Sequence, residues 1–234
     1  MKKLLTTLLL STAVTAQAAP IMNIFELGIK AGQTAAYDEV GKYNITASVQ
    51  NEKGTLAMYS AKRKNNPEMA YMFEIYADND AYQTHIQSPQ YRFFLQKSPE
   101  LLTDHKRKIN VEPQYLADKK VEQTAQTINN FVMVEVKPEF NQAFREIVIA
   151  EMAQSMKVEQ DVLAMYAVTD KEKPTRWYFY EIYASEQAYQ QHRQTAHFKD
   201  YLKQTADMLQ GKEMIEITPA FLMNKGSVQF NTLP

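Results

Sequence analysis

Two glutamate and histidine pairs are the residues of this chain best suited to acid–base chemistry. Glu74 lies in an aromatic, strand-like run and is followed by His85, and Glu181 and His192 repeat that arrangement with the same separation. A carboxylate that holds an imidazole fixes its tautomer and raises its basicity, so either histidine could remove a proton from a weakly acidic substrate. The same pairing could equally satisfy two partly buried polar groups in the core.

The two pairs belong to an internal repeat with a displacement of 107 positions. The run Phe73–His85 returns, with substitutions, as Tyr180–His192, and Leu56–Tyr59 returns as Leu163–Tyr166. A repeat of this length corresponds to a small domain and not to one turn of a solenoid. The sequence therefore predicts a tandem duplication. Its expected segments are a leader at 1–18, domains at 19–116 and 129–223, a linker at 117–128 and a tail at 224–234.

Aromatic side chains near these pairs are candidates for binding an aromatic or phenolic ligand. Tyrosine hydroxyls can donate hydrogen bonds to an oxyanion, and aromatic faces stack on planar rings. The candidates are Tyr59, Tyr76, Tyr82, Tyr166, Trp177, Tyr183 and Tyr189. Tyr59 and Tyr166 could instead be core aromatics. Trp177 aligns with Ala70, and this asymmetry leads us to expect at most one active pocket, the one nearer Trp177.

Other catalytic and cofactor chemistries find little support in the sequence. The chain has no cysteine, which excludes disulfides, thiolate nucleophiles and thiolate metal sites. It has only 6 glycines and no Gly-rich phosphate loop, so we expect no nucleotide cofactor. His192 and His197 are five residues apart, off the i, i+4 spacing that places two imidazoles on one face of a helix. The sequence therefore predicts neither a metal site nor a cofactor.

Hydrophobic patterning gives each repeat the order strand, helix, strand, strand, helix, strand. The predicted strands of the first copy are 23–29, 55–61, 69–77 and 108–116. The closing strand of the second copy is 213–222, and 226–231 is a candidate for a short terminal strand. Ser88 and Thr195 stand where a helix N-cap is expected, and Pro89 suits the first helical position. This order is that of a ferredoxin-like unit with helices on one face of an antiparallel sheet.

A sheet covered on one face needs a partner for the other, and the second copy supplies it. The sequence therefore predicts an α+β fold in which two ferredoxin-like (βαββαβ) repeats form a pseudo-dimeric α+β barrel. Strand alternation separates Tyr71, Phe73 and Ile75 from the face that carries Glu74. We expect the more uniformly apolar set to lie beneath the helices, so that Glu74 and its counterpart Glu181 face the space between the sheets.

The N-terminus and the charge of the chain indicate where it works. Lys2 and Lys3 precede an apolar run at 4–14, and Ala16-Gln17-Ala18 fits the cleavage pattern of a secretory signal peptide. We expect export to the periplasm or beyond the cell, with no membrane attachment after cleavage. Loss of the two lysines changes the formal charge from −1 to −3, which offers no electrostatic footprint for nucleic acid.

The repeated motif resembles the antibiotic biosynthesis monooxygenase domain. The resemblance rests on an aromatic strand ending in Glu-x-aromatic, an Ala-aromatic-x-x-His helix and a capped start of the next helix. These motifs are Phe73-Glu74-Ile75-Tyr76, Ala81-Tyr82-Gln83-Thr84-His85 and Ser88-Pro89-Gln90-Tyr91-Arg92, then Tyr180-Glu181-Ile182-Tyr183, Ala188-Tyr189-Gln190-Gln191-His192 and Thr195-Ala196-His197-Phe198-Lys199. The family commonly has tryptophan at the positions of Tyr76 and Tyr183. Its anthrone oxygenases pair that tryptophan with an asparagine, where this chain has Met72 and Phe179.

The resemblance implies a dimeric α+β barrel and, as in some members, oxygenation of quinols or anthrones by O2 without metal or flavin. It implies motif roles for Glu74, His85, Glu181 and His192. The expected function is thus a cofactor-independent quinol-type monooxygenase, whose partners are a small aromatic, quinol-like substrate and O2. The alternative is a non-catalytic barrel that binds a small aromatic or hydrophobic ligand. The tandem repeat would act as an internal pseudo-dimer. The sequence leaves open whether two such chains also form a homodimer.

Overall fold

The computed structural model describes residues 19–231, so the predicted signal peptide lies outside the described residues. The first repeat contains β1 (Ile21–Ile29), α1 (Thr34–Asn51), β2 (Thr55–Arg63), β3 (Asn66–Tyr76), α2 (Asn79–Ile86), α3 (Pro89–Leu101), β4 (Leu102–Ile109) and β5 (Val111–Asp118). The second contains β6 (Ile128–Val136), α4 (Asn141–Val158), β7 (Val162–Asp170), β8 (Arg176–Tyr183), α5 (Glu186–His192), α6 (Ala196–Thr205), β9 (Leu209–Ile215), β10 (Ile217–Asn224) and β11 (Gln229–Phe230). The repeated α+β pattern and the tandem duplication are confirmed.

The strands form two antiparallel sheets that exchange strands between the repeats. The first sheet has the order β10-β2-β3-β1-β4, and the second has the order β11-β5-β7-β8-β6-β9. The prediction of one closing strand per copy is therefore wrong, because the chain leaves its own sheet at Asn110 or Glu216 and continues along the other. Pro113 and Pro219 fall where the register of the crossing strands shifts, and a proline without an N–H suits such a position.

The space between the two sheets is an aromatic core. Phe73 of β3 stacks on Tyr180 of β8 with ring centres 3.8 Å apart, and Tyr71 packs with them through Phe131. The predicted orientation of β3 is therefore wrong: its uniformly apolar face lies between the sheets, and Glu74 lies on the helix side. Phe73, Ile75 and Tyr180 are almost fully buried there, and such a position favours the face without a carboxylate.

Tyrosine hydroxyls inside that core bond to one another and to a buried acid. The Tyr59 and Tyr166 hydroxyls, one from each repeat, are 2.9 Å apart. Tyr166 also donates to Asp118 Oδ2 at 2.7 Å, and burial raises the pKa of that carboxyl. These contacts tie the two repeats together through polar groups that would otherwise be unsatisfied in the core.

Helices cover the outer face of each sheet, and their starts follow the predicted capping chemistry. The Ser88 hydroxyl accepts from the amide of Tyr91, and the Thr195 hydroxyl accepts from the amide of Phe198, which confirms both caps. These caps begin α3 and α6 three residues after the histidines in the last turns of α2 and α5. Among residues 19–231, no helix is both long enough and apolar enough to cross a bilayer.

Candidate functional site

Each of the two histidines is held by a glutamate that lies outside the predicted motifs. His85 Nδ1 lies 3.1 Å and 3.2 Å from the two carboxylate oxygens of Glu52, at the C-terminal end of α1. His192 Nδ1 lies 3.0 Å and 3.3 Å from those of Glu159, at the end of α4. The predicted pairing with the strand glutamates is wrong, because each histidine lies in the last turn of its helix, next to the C-terminal end of the preceding long helix.

A signal for these partners was present in the sequence, since Glu52 and Glu159 are also separated by the repeat length of 107. Burial alone would raise the pKa of Glu52, but hydrogen bonds from His85 and Thr55 hold that pKa below its usual value. Glu52 is therefore an ionised partner that fixes the His85 ring. The other ring nitrogen, Nε2, is buried and has no hydrogen-bond partner in the described chain.

Glu74 occupies a separate position in the middle of β3. It is 7% exposed and accepts a hydrogen bond of 2.8 Å from the Tyr76 hydroxyl. Burial raises the pKa of its carboxyl, while the nearby charges of His85 and Lys108 act in the opposite direction. A carboxyl whose pKa is raised by its surroundings is a better proton acceptor than one in water, which is the property required of a general base.

Glu74 lines a cavity of about 250 Å³ between the first sheet and helices α1 and α3. The apolar walls include Phe25, Leu27, Met72, Phe94 and Leu95; the polar groups include Asn44, Glu74, Tyr91 and Lys108. Apolar walls with a few polar groups are typical of sites for small organic ligands. His85 does not line the cavity, but its ring centre is 5.0 Å from that of Tyr91, which does.

Several buried polar atoms around this cavity lack partners. Asn44 Oδ1 on α1 and Asn23 Nδ2 on β1, opposite Glu74, make no hydrogen bond within the described residues, as is the case for His85 Nε2. A buried polar group left unpaired costs about 1–3 kcal/mol. Of these residues Asn44 lines the cavity, so its Oδ1 is placed to accept a hydrogen bond from a bound ligand.

The second repeat has filled most of the matching space. Its cavity, which Glu181 lines, measures about 50 Å³. Two wall positions change toward larger side chains: Gly41 of the first repeat corresponds to Val148, and Met72 corresponds to Phe179. Of these two equivalent cavities, only that of the first repeat has room for an aromatic ring.

Trp177 does not line either cavity. Its ring packs against Phe144 at 5.3 Å, and its Nε1 donates to Asn141 at 2.9 Å, so its polar atom is already satisfied. Its large ring stacks on Phe179, one of the side chains that fill the second repeat. The geometry thus favours the pocket remote from Trp177, contrary to our expectation.

The candidate tyrosines divide into three groups by position. Tyr59 and Tyr166 lie between the sheets, away from the Glu74 cavity. Tyr76 and Tyr183 are fully buried and donate at 2.8 Å to Glu74 and Glu181, so they orient the strand carboxylates.

Tyr82 on α2 and Tyr189 on α5 form the third group. The Tyr82 ring lies 5.3 Å from that of Tyr76 and 5.2 Å below the Lys108 ammonium, while Tyr189 lines the second cavity. Tyr82 therefore helps to hold Lys108 near Glu74 through a cation–π contact.

The spacing of His192 and His197 is not a valid argument against a metal site in the second repeat. His192 ends α5 and His197 lies in the first turn of α6, so their separation within one helix is irrelevant. One donor atom each of Glu151, His192 and His197 lie within 4.8 Å of one another. These three residues are the described group that could hold a metal ion.

The profile of a family described as antibiotic biosynthesis monooxygenase matches residues 20–97 and 127–204. The chain is similar to a putative monooxygenase from Fusobacterium nucleatum, with 27% identity and a TM-score of 0.86 over 93% of this chain and 100% of that one. It is also similar to a putative monooxygenase from Lactobacillus acidophilus, with 26% identity and a TM-score of 0.86 over 91% and 99%. No protein of curated function matches it significantly.

Proposed function

The chain belongs to the antibiotic biosynthesis monooxygenase family, and we propose from this premise that its first repeat is a cofactor-independent monooxygenase of quinol-like aromatic compounds. The observation that carries the proposal is the buried Glu74 carboxylate in an apolar cavity of about 250 Å³. The two putative monooxygenases that share the full-length architecture support the same class of activity.

The cavity suits a flat phenolic substrate. Phe25, Leu27 and Phe94 offer apolar contact to a ring, and Lys108 offers a positive charge to a phenolate oxygen. The Lys108 ammonium lies 5.6 Å from the Phe25 ring centre and close enough to Glu74 for its charge to lower the pKa of that carboxyl. A fixed cation beside the developing anion stabilises it strongly in a site of low dielectric constant.

The chemistry begins with proton transfer. Glu74 accepts the phenolic proton, and Lys108 stabilises the phenolate. The electron-rich anion reduces O2, and a carbon–oxygen bond forms at the adjacent ring carbon to give a peroxide anion. This anion takes back the proton held by Glu74 and becomes a hydroperoxide. Its O–O bond then breaks, and the hydroxyl group leaves as water with the proton of the same ring carbon, which gives a hydroxyquinone. One oxygen atom enters the ring and the other becomes water; all four electrons come from the quinol, so no external reductant is needed.

His85 acts in this scheme as a positioning residue. Its Nδ1 is held by Glu52 and its ring packs against Tyr76, the residue that donates to Glu74. It therefore influences the proton affinity and orientation of Glu74 without contacting the cavity.

We also propose that residues 1–18 direct export, so that the enzyme acts on quinols in the periplasm. N-terminal sequencing of protein from the periplasmic fraction tests this.

Oxygen consumption by the purified, chelator-treated mature chain tests the function, with hydroquinones and dihydroxynaphthalenes as substrates. We expect uptake above the autoxidation rate. Glu74→Gln keeps the shape and can still accept from Tyr76, but it cannot take a proton, so uptake should fall by about 10²–10⁴-fold. Glu181→Gln makes the same change in the filled repeat and should leave uptake near the wild-type rate.

Two results would contradict the proposal. Equal losses in the two variants would show that the cavity difference between repeats does not decide activity. Tight binding of a dihydroxynaphthalene without any oxygen uptake by the wild type would identify a non-catalytic binding protein instead.

A further variant tests the role of Lys108. Met214 occupies the matching strand position in the second repeat, because it pairs with Val132 as Lys108 pairs with Phe25. Lys108→Met introduces this residue and should weaken binding of the ionised substrate.

A further inference from the structure

The second repeat concentrates two imidazoles and a buried carboxylate at one point. His192 Nε2 lies 3.8 Å from Glu151 Oε1, and a donor atom of His197 lies within 4.8 Å of both partners. Glu151 and His192 are buried, and His197 is partly exposed. None of the three takes part in the chemistry assigned to the first repeat.

Three separate helices present these side chains. Glu151 comes from the middle of α4, His192 from the last residue of α5 and His197 from the first turn of α6. Thr195 caps α6 between the two histidines and fixes the chain there. Side chains that project from packed helices are placed more rigidly than those on loops, which favours a preformed site.

We propose that Glu151, His192 and His197 bind one divalent transition-metal ion of the zinc type. Two imidazoles and one carboxylate are a ligand set of catalytic zinc sites, which keep an open fourth position. Donors about 2.0–2.1 Å from a tetrahedral zinc lie about 3.4 Å apart. The 3.8 Å between His192 Nε2 and Glu151 Oε1 is close to that spacing, so small side-chain rotations complete the site.

Glu159 supplies the outer support that metal-binding histidines usually have. Its Oε1 lies 3.0 Å from His192 Nδ1 and 2.7 Å from His197 Nε2. A proton on His192 Nδ1, donated to Glu159, leaves Nε2 unprotonated and directed toward Glu151. Carboxylate–histidine pairs of this kind fix the tautomer and strengthen the histidine as a ligand.

The local charge also favours a cation. Glu151 is buried near the carboxylates of Glu181 and Glu159, and the Ser155 hydroxyl donates to it at 2.8 Å. A bound divalent ion would offset the repulsion among these three acids. Nothing else among the described residues pairs directly with Glu151 except Ser155 and the His192 imidazole.

An ion can reach this point from solvent. Glu151 and His197 both line an open groove between α4 and α6, which Glu146 and Asp200 also line. Acidic groups at the mouth of the groove attract cations. Water in the groove can occupy the fourth coordination position.

The first repeat provides the matched negative case. Asn44 stands at the position of Glu151 and Gln90 stands at the position of His197, so that only His85 remains of the three donors. Gln90 Nε2 donates to Glu52 as His197 Nε2 bonds to Glu159. Glutamine at 197 and asparagine at 151 are therefore side chains that this fold already accommodates.

Cobalt(II) titration of the full-length mature chain, freed of metal with a chelator, tests the site. We expect one equivalent of Co2+ per chain, with visible absorption bands of a tetrahedral or five-coordinate ion, and displacement by Zn2+. His197→Gln and Glu151→Asn should each weaken Co2+ binding at least tenfold, since even loss of an outer-shell partner costs about 10–100-fold. His105→Gln removes a surface imidazole that pairs with Glu26 and should leave the affinity unchanged.

Circular dichroism of each variant shows whether it folds, and the two ligand variants provide independent tests. The proposal is overturned if folded wild type binds no Co2+ at micromolar concentration. It is equally overturned if His197→Gln and Glu151→Asn, both folded, bind Co2+ as tightly as the wild type. A loss on His105→Gln as large as that on His197→Gln would place the bound ion at the surface and would also overturn it.

Discussion

Gly41 offers the most direct test of the cavity, because it lies in the middle of α1 and lines the space next to Glu74. A Cβ atom built at Gly41 meets no other atom within 4 Å, so a side chain there can enter the cavity without displacing the structure. The second repeat has Val148 at this position and a cavity of about 50 Å³ in place of about 250 Å³. We predict that Gly41→Val blocks the substrate and stabilises the fold.

The size of the stability effect follows from helix propensity and burial. Glycine within a helix is about 1 kcal/mol less favourable than alanine. Gly41→Ala should therefore raise the free energy of unfolding by about 1 kcal/mol, which corresponds to about 2–4 °C in the melting temperature of a chain of this size. Valine has a weaker helix propensity, but each methyl buried against the cavity wall returns up to about 0.8 kcal/mol, so Gly41→Val should gain about as much.

Thermal unfolding and oxygen uptake, measured on the same preparations, separate the two effects. Gly41→Val should melt at or above the wild-type temperature and lose uptake at least tenfold, whereas Gly41→Ala should lose less. The reciprocal change, Val148→Gly in the second repeat, should lower the melting temperature and leave uptake unchanged.

Two outcomes would refute this reasoning. A lower melting temperature for Gly41→Ala would mean that a Cβ does not fit at position 41. Full oxygen uptake by a stable Gly41→Val variant would mean that the substrate does not occupy the cavity beside Glu74.

Two further predictions concern buried acids and tyrosines. Burial raises the native pKa of Glu74 above its unfolded value near 4.5, so the stability that this carboxyl contributes when protonated is lost as the pH rises above 4.5. Glu74→Gln should therefore unfold at a higher urea concentration than the wild type at pH 7, and the difference should vanish near pH 4. A constant difference across that pH range would contradict the assignment. Tyr166→Phe removes bonds to Tyr59 and Asp118 and should cost about 1–3 kcal/mol of unfolding free energy in urea titrations while leaving oxygen uptake intact, because both partners lie between the sheets.

Local chemistry and repetition made much of the fold predictable. The 107-residue displacement exposed the duplication, and Ser88 and Thr195 marked helix starts because a hydroxyl at an N-cap has its function within three residues of sequence. The packing of two sheets followed from the need of each half-covered sheet for a partner. The exchange of β5 and β10 did not follow, because a single extended run looks the same whether it stays in one sheet or crosses to the other.

The candidate site could likewise be predicted only in part from the sequence. The sequence identified Glu74, His85, Glu181 and His192 as the residues capable of chemistry, since their types and their repetition are visible without a structure. It could not identify Glu52, which reaches His85 across 33 positions, although the repeat placed Glu159 at the matching position. The helix-to-helix contact that unites each pair depends on how α1 and α4 pack against the following helices.

The sequence by itself determined that this chain is two copies of one α+β unit, which residues share a strand face, and which side chains could transfer protons. Alternation with a period of two groups residues on a face but does not say what covers that face. Only the tertiary structure placed Glu74 under the helices, left space beside it in the first repeat, and gathered Glu151, His192 and His197 in the second. Cavity volume and clusters of donors arise from contacts between distant segments, and these are set by packing and not by local pattern.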